Sequence, residues 1–238
     1  MMARDEDASG SALTVWRGPA RPRAAVLVLH GGQERSERPA RPGQLAALRM
    51  ELVLRAVARA VPDDVLIARV RYRVRGWNGE RADPAHDTLR ALDELAHPVP
   101  TVLVGHSMGG RAALHAAGHP LVHAVVGLAP WWPPGEPVAQ TAGRTLLALH
   151  GDRDRTTSPA DTAELLRRAE GTAARVGQAL IAGGDHAMLR RYRTWHRTTA
   201  ALVAHLLDPG SNPDPLPATH RPEADGPRPH PDAAPRQK

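Results

Sequence analysis

Between residues 24 and 207, short apolar runs alternate with longer stretches in which apolar residues recur every three or four positions. Uninterrupted apolar runs are typical of strands buried on both faces, and the wider spacing is typical of amphipathic helices. The alternation predicts an α/β fold with a mostly parallel central sheet covered by helices on both faces. The runs predict strands at 24–30, 65–70, 101–105, 124–128, 146–150 and 178–182. The spaced patterns predict helices at 44–60, 83–96, 108–118, 159–170 and 187–207.

The two ends of the chain have a different character. Residues 209–238 hold nine of the 23 prolines and almost no large apolar side chains. Such a segment cannot bury enough apolar surface to offset the entropy of ordering, so we predict a disordered Pro-rich tail. Residues 1–12 are also predicted to be disordered. No internal repeat or linker divides the remainder, which predicts one domain over residues 13–208.

Composition excludes several classes of protein. With 42% hydrophobic and 24% charged residues, the 238-residue chain can bury a full core. No apolar run approaches the roughly 18 residues of a membrane span, and the N-terminus lacks the apolar segment of a signal peptide. The absence of cysteine excludes a thiolate nucleophile and a cysteine zinc site. We therefore expect a cytoplasmic protein that does not bind membranes.

The net charge of +6 raises the question of nucleic-acid binding. All but one of the 31 basic residues are arginines, however, and they are scattered along the chain rather than gathered into one stripe. Few aromatic residues are available to stack on bases. We therefore predict no nucleic-acid partner.

The strongest chemical signal is the segment Gly105-His106-Ser107-Met108-Gly109, which follows a predicted strand and opens a predicted helix. A nucleophile elbow requires this context: the turn is tight, and a side chain at either outer glycine would collide with neighbouring backbone. Ser107 would project its hydroxyl above the sheet. The N–H of Met108 would point to where negative charge develops. The alternative is a glycine-rich turn with an incidental serine.

Three further segments stand just after predicted strands, as His30-Gly31-Gly32, Gly151-Asp152-Arg153-Asp154 and Gly184-Asp185-His186. With the elbow, they make residues 13–207 similar to the α/β-hydrolase superfamily, in its lidless esterase and dienelactone-hydrolase-like branch. Dienelactone hydrolases usually have a cysteine where Ser107 stands. The resemblance implies an α/β-hydrolase fold with little or no lid.

The resemblance also implies the site residues. The nucleophile, acid and base would be Ser107, Asp154 and His186, in the chain order of this superfamily. Asp152 competes with Asp154, and its alternative role is to form a turn or cap a helix. Gly32 would supply the second oxyanion-hole N–H beside that of Met108. The resemblance implies a structural, hydrogen-bonding role for His30.

Residue spacing and type bear on the substrate. Only 14 residues, 131–144, separate the strand after the elbow helix from the acid-bearing strand, which leaves no room for a lid domain. We therefore expect a small or exposed acyl group. Trp131 and Trp132 form either an aromatic wall of the acyl pocket or an anchor for their loop. Arg75, or Arg73 beside it, either attracts an anionic group of the substrate at the entrance or pairs with Glu80 or Asp83 on the surface.

The residues therefore predict a serine hydrolase, most simply a carboxylesterase, that acts on a small-molecule acyl substrate. It would need no cofactor, and no metal-ligand spacing such as His-Glu-x-x-His occurs in the sequence. Thioester or peptide hydrolysis and acyl transfer to an alcohol are alternatives on the same triad. A non-catalytic ligand-binding scaffold is the alternative from a different class.

Overall fold

A computed structural model describes residues 10–41 and 43–216 of the chain. Within these residues, seven strands form one sheet in the order β1-β3-β2-β4-β5-β6-β7. Among the described strands, only β1 runs antiparallel, paired with β3. The strands are β1 (Leu13–Arg17), β2 (Ala24–Leu29), β3 (Val65–Val70), β4 (Thr101–His106), β5 (Val122–Leu128), β6 (Thr145–Gly151) and β7 (Arg175–Ile181).

Five α-helices lie between or after these strands in the described part of the chain. They are α1 (Leu45–Ala60), α2 (Asp83–Asp93), α3 (Met108–His115), α4 (Pro159–Ala169) and α5 (Tyr192–Leu207). The predicted α/β architecture is confirmed, and each predicted strand and helix has a counterpart in this list. None of the helices of the described residues is long and apolar enough to cross a membrane.

The alternation of side chains along each strand divides the apolar core between the two faces of the sheet. On β2, Val26 and Val28 pack on the face covered by α1 and α5, whereas Leu27 and Leu29 pack on the face covered by α2, α3 and α4. All four side chains are 1% exposed or less. Burial on both faces is why the strands are uninterrupted apolar runs, and it holds their carboxyl ends in register at one edge.

The start of α5 differs from the prediction. The pattern predicts a helix from 187, but the helix begins at Tyr192. Met188 and Arg191 have positive φ angles, 55° and 60°, which an α-helix cannot contain. The Asp185 carboxylate accepts a hydrogen bond from the N–H of Arg190 at 2.9 Å and so stabilises a turn instead. Residues 187–191 are therefore part of the loop that follows β7.

The folded region extends beyond both predicted boundaries. Ala12 is 2% exposed, and its N–H donates to the Glu94 carboxylate at 2.7 Å. At the other end, Leu216 is 7% exposed within the core and its carbonyl accepts a bond from Arg175 at 2.8 Å. The packed part of the chain therefore continues for eight residues past the predicted start of the tail at 209. The high proline content of this segment predicts disorder, although Leu216 packs into the core. Residues 1–9 and 217–238, where the rest of the predicted disordered ends fall, lie outside the described residues.

Candidate active site

Ser107 joins β4 to α3 in a strained conformation, with φ 54° and ψ −119°. A non-glycine residue at positive φ costs about 1–3 kcal/mol and persists only where its surroundings enforce it. Here the flanking glycines allow two backbone segments to approach closely. A Cβ on Gly105 would lie 2.3 Å from the Gly109 carbonyl oxygen, and one on Gly109 would lie 2.5 Å from the Leu29 carbonyl oxygen. The glycines of the predicted elbow are thus sterically required.

The backbone of Ser107 is bonded to the end of the neighbouring strand. Its N–H donates to the Leu128 carbonyl at 3.1 Å, and its own carbonyl accepts from the N–H of Trp131 at 3.1 Å and of Gly110 at 2.9 Å. These bonds fix the residue to β5 as well as to its own helix. The hydroxyl therefore stands at the carboxyl edge of the sheet before any substrate arrives.

The structure brings the three residues implied by the resemblance into one hydrogen-bonded chain. The Ser107 hydroxyl Oγ lies 3.1 Å from His186 Nε2, and His186 Nδ1 lies 2.8 Å from Asp154 Oδ2. The Asp154 side chain is fully buried, and that of His186 is 17% exposed. In this arrangement the imidazole can accept the hydroxyl proton while the carboxylate holds the ring by its other nitrogen.

Asp154 is a buried carboxylate surrounded by donors. Its Oδ1 accepts from the backbone N–H of Thr156 at 2.7 Å and of Thr157 at 2.9 Å, and its Oδ2 accepts from the Thr157 hydroxyl at 2.9 Å. Burial by itself would raise the pKa of this carboxyl, but the hydrogen bonds from His150, His186, Thr157 and Thr156 outweigh it and lower the pKa. Asp154 therefore stays ionised.

The two other aspartates near the site stabilise loops. Asp152 is exposed, and its carboxylate accepts from the N–H of Gly183 at 2.7 Å, which ties the end of β6 to the loop that contains His186. Asp185 bonds the N–H of Arg190 within that loop. Neither carboxylate has a hydrogen bond to His186 among the described residues. This geometry favours Asp154 over Asp152 as the acid.

Gly32 and Met108, the two residues implied for the oxyanion hole, lie against each other. A Cβ on Gly32 would lie 2.3 Å from Met108 Cε and 2.4 Å from the Arg75 carbonyl oxygen, so this position excludes a side chain. Gly31 next to it faces the nucleophile, since a Cβ there would lie 3.3 Å from Ser107 Cβ. The N–H of Met108 is the first of α3 and has no acceptor within the helix.

Two histidines pack around the site without contacting Ser107 Oγ. His106 is 1% exposed, its ring centroid is 5.0 Å from that of His186, and its Nε2 donates to the His186 carbonyl at 2.8 Å. Burial and the neighbouring His186 lower the pKa of His106 to about 3, so it is neutral. His30 bonds the Gly31 carbonyl at 2.7 Å, and burial lowers its pKa. Both histidines support the loops that surround Ser107.

The two tryptophans have different surroundings. Trp132 is 2% exposed, its indole N–H donates to the Gly110 carbonyl at 3.0 Å, and its ring fills the space that a side chain on Gly127 would take. This placement favours the loop-anchor alternative for Trp132. Trp131 is half-buried, and its ring stacks on the Arg111 guanidinium, whose Cζ is 4.4 Å from the ring centroid.

The two arginines considered for the entrance, Arg73 and Arg75, have different bonding partners. Arg73 donates to the fully buried Asp87 carboxylate at 2.6 Å and lies 3.8 Å from Asp83, which favours the surface-pairing alternative for it. The Arg75 side chain donates from Nε to the Pro39 carbonyl at 3.0 Å. No carboxylate of the described residues lies within ion-pair distance of Arg75. Its backbone carbonyl stands beside Gly32.

Residues 129–144, between β5 and β6, contain only the 3₁₀ helix Ala139–Thr141, so no lid domain interrupts the described chain here. In the same described ranges, no group of three or more His, Asp and Glu side chains is arranged to hold a metal ion. Sequence reasoning missed His150 and Thr157, which both contact Asp154. The one sequence feature that could have identified them is that both lie within four residues of Asp154, next to the Gly-x-x-Asp pattern at 151–154.

Comparisons with known proteins agree with this architecture. Residues 26–233 match the model of the Alpha/beta hydrolase family. A protein of unknown function from Agrobacterium tumefaciens is 14% identical, with a TM-score of 0.65 over 85% of this chain and 94% of that one. Est1E from Butyrivibrio proteoclasticus, solved with ferulic acid bound, is 11% identical, with a TM-score of 0.60 over 82% and 94%. A serine hydrolase without lid from Xanthomonas campestris is 18% identical, with a TM-score of 0.54 over 87% and 89%. No curated protein matches the sequence.

Proposed function

Because the chain belongs to the alpha/beta hydrolase family, we propose that it is a serine hydrolase that cleaves carboxylic esters. The observation that carries the proposal is the hydrogen-bonded chain from Ser107 Oγ through His186 to the buried Asp154. Burial of an ionised carboxylate costs stability through desolvation, and backbone strain at a serine costs more. A non-catalytic scaffold gains nothing that would offset these costs from a buried carboxylate bonded to a histidine that faces a strained serine. The intact arrangement thus favours catalysis over a binding scaffold.

In the proposed reaction, Ser107 Oγ attacks the ester carbonyl as His186 Nε2 takes its proton. The N–H groups of Met108 and Gly32 stabilise the oxyanion, a contribution of about 3 kcal/mol per donor in other enzymes. His186 then gives the proton to the departing alcohol, which leaves an acyl ester on Ser107. A water molecule then attacks that ester as His186 takes its proton, and His186 returns the proton to Ser107 Oγ as the carbonyl–Oγ bond breaks and the acid product departs. Asp154 holds the imidazole orientation and stabilises its positive charge throughout.

The substrate we propose has a small or exposed acyl group. The segment between β5 and β6 is too short to cover Ser107 with a separate domain. Trp132 is buried in the core and so cannot contact a substrate. The half-buried Trp131 is therefore the candidate for an aromatic surface beside the pocket. Est1E, one of the similar structures, has an aromatic acid bound, which is compatible with such a surface.

Labelling with a fluorophosphonate probe tests the proposal. The wild type is expected to be labelled covalently, because only an activated serine reacts rapidly with this probe. Ser107→Ala and His186→Ala are expected to abolish labelling and to lower the hydrolysis of short p-nitrophenyl esters by on the order of 10⁶-fold. The matched control is His123→Ala, which removes an exposed histidine near the start of β5 and leaves the triad in place. A folded wild type without labelling or esterase activity would leave the binding scaffold as the better explanation.

We propose further that Arg75 favours substrates with a second, anionic group. Its guanidinium bonds the Pro39 carbonyl and has no carboxylate partner among the described residues, and its backbone carbonyl stands beside Gly32. Arg75→Ala is expected to lower kcat/KM for a p-nitrophenyl ester with a terminal carboxylate by about 3- to 10-fold at low salt, because long-range attraction is lost. A neutral ester of the same length should be unaffected. Arg167→Ala, which removes the same charge from an exposed pair on α4, is the control. Equal effects on both esters would contradict this role.

A further inference from the structure

His150 is a second histidine on the carboxylate of Asp154. It stands on β6, the strand that leads to Asp154, and its Nε2 lies 3.2 Å from Asp154 Oδ2. Neither side chain has any exposed surface. The carboxylate oxygen Oδ2 thus contacts two imidazoles, that of His186, which faces the nucleophile, and that of the fully buried His150. The mechanism proposed above uses only the first of them.

The surroundings of His150 determine which of its nitrogens holds the proton. Its Nδ1 lies 3.1 Å from the hydroxyl of Thr162, a buried residue of α4 that can donate its proton there. At the other nitrogen, Nε2 faces Asp154 Oδ2 and, at 3.3 Å, the hydroxyl oxygen of Thr157. Without a proton, Nε2 would present its lone pair to an anionic oxygen in a site without solvent. The arrangement therefore requires a proton on Nε2.

The Thr157 hydroxyl has one proton, and its shortest contact is Asp154 Oδ2 at 2.9 Å, compared with 3.3 Å to the Ala129 carbonyl. When it donates to the carboxylate, its oxygen can accept from His150 Nε2–H. Each hydrogen bond in the network then has one donor and one acceptor. Thr162 donates to His150, which donates to Asp154 Oδ2, while Ser107 donates to His186, which donates to the same carboxylate oxygen.

We propose that His150, held by Thr162, is a positioning residue that keeps the Asp154 carboxylate oriented toward His186. This role rests on the proposed hydrolase function. His150 does not touch the substrate, so its loss should affect the rate of the chemical step rather than binding. Removal of its N–H leaves a buried carboxylate oxygen with one donor fewer and allows the carboxylate to rotate away from His186 Nδ1.

The kinetic test compares substitutions that remove and retain the donor. His150→Leu is expected to lower kcat by about 10- to 100-fold, the range for a hydrogen bond to a charged group, with KM within twofold of wild type. His150→Gln, whose side-chain amide can place an N–H near the position of Nε2, should recover most of this loss. Thr162→Val should lower kcat, whereas Thr162→Ser should not. If His150→Leu fails to fold, the other three variants still decide the question.

A double-mutant comparison separates positioning from a general structural effect. In an Asp154→Ala background, His150→Leu should reduce the residual rate of fluorophosphonate labelling by less than twofold, because the group on which it acts is gone. If His150→Leu lowers the labelling rate by the same factor in the wild-type background and in the Asp154→Ala background, the positioning role is overturned. An active wild type whose His150→Leu variant retains full kcat would also overturn it. A wild type inactive toward probe and esters would instead overturn the proposed function, and this role with it.

Nitrogen NMR of ¹⁵N-histidine-labelled protein supplies a readout that does not depend on activity. His150 is expected to have its proton on Nε2 in the wild type, and Thr162→Val should populate the Nδ1 form. A wild-type ring protonated on Nδ1 and not on Nε2 would overturn the proposal, because such a ring cannot donate to Asp154.

Discussion

Asp154→Asn is expected to lower kcat by about 10⁴-fold with little change in KM, as the equivalent change does in other triads. An asparagine amide that donates to His186 Nδ1 forces the imidazole proton onto Nε2. The ring then has no lone pair to accept the Ser107 proton. Steady-state kinetics on a short p-nitrophenyl ester measure the effect.

Asp152→Asn is the matched control for this prediction. Its carboxylate bonds the N–H of Gly183 rather than His186, so kcat should stay within a few-fold of wild type. A large loss in Asp152→Asn together with a nearly active Asp154→Asn would reverse the assignment of the acid. Thermal unfolding of both variants checks that loop damage does not account for the difference.

Glu136→Ala is expected to reduce the free energy of unfolding by about 3 kcal/mol or more, because it breaks a buried ion pair and leaves the other charge without a partner. The Glu136 side chain is 4% exposed and bonds the Arg111 guanidinium and the His115 ring. The guanidinium also lies over the rings of both Trp77 and Trp131, with Cζ 4.2 Å and 4.4 Å from their centroids. Chemical denaturation measures the loss.

Two comparisons sharpen this second prediction. Glu164→Ala, which breaks an exposed pair with Arg167, should have no measurable effect on stability. Arg111→Met combined with Glu136→Leu should recover part of the loss, since no buried charge then remains unpaired. Full stability of Glu136→Ala would show that the pair is dispensable.

The same carboxylate gives the stability a predicted pH dependence. Burial by itself would raise the pKa of Glu136, but its bonds to His115 and Arg111 lower the pKa below its usual range. A folded-state pKa below the unfolded value contributes stability above about pH 4.3, and that stability disappears as the pH falls through the folded-state value. The difference between wild type and Glu136→Ala should therefore narrow under acid conditions.

Much of the fold could be predicted because the strands are buried on both faces and so form uninterrupted apolar runs. β1 was missed for the opposite reason. It is an edge strand in which Val15 is 56% exposed and Trp16 is 46% exposed, so its residues follow no simple apolar pattern. Its partner is β3, more than 40 residues later, and no local signal marks such a pairing.

In the candidate site, too, some residues could be predicted from the sequence and others could not. Ser107 could be singled out because the elbow is a local motif whose glycines avoid collisions with neighbouring backbone. The choice between Asp152 and Asp154 depends on which carboxylate reaches the His186 ring. The two residues are two positions apart in sequence, so only the three-dimensional structure distinguishes them. His150, Thr157 and Thr162 come from a strand, a loop and a helix that converge on one carboxylate. No spacing rule expresses that convergence.

The contacts of residues 209–216 matter for protein engineering. Arg175, at the start of β7, bonds both the Asp214 carboxylate and the Leu216 carbonyl. An affinity tag or fusion partner joined directly after α5 would displace this segment and uncover the core beneath Leu216. A junction after Leu216 leaves these bonds intact. The smallest unit worth excising for expression is therefore set by this C-terminal anchor rather than by the last helix.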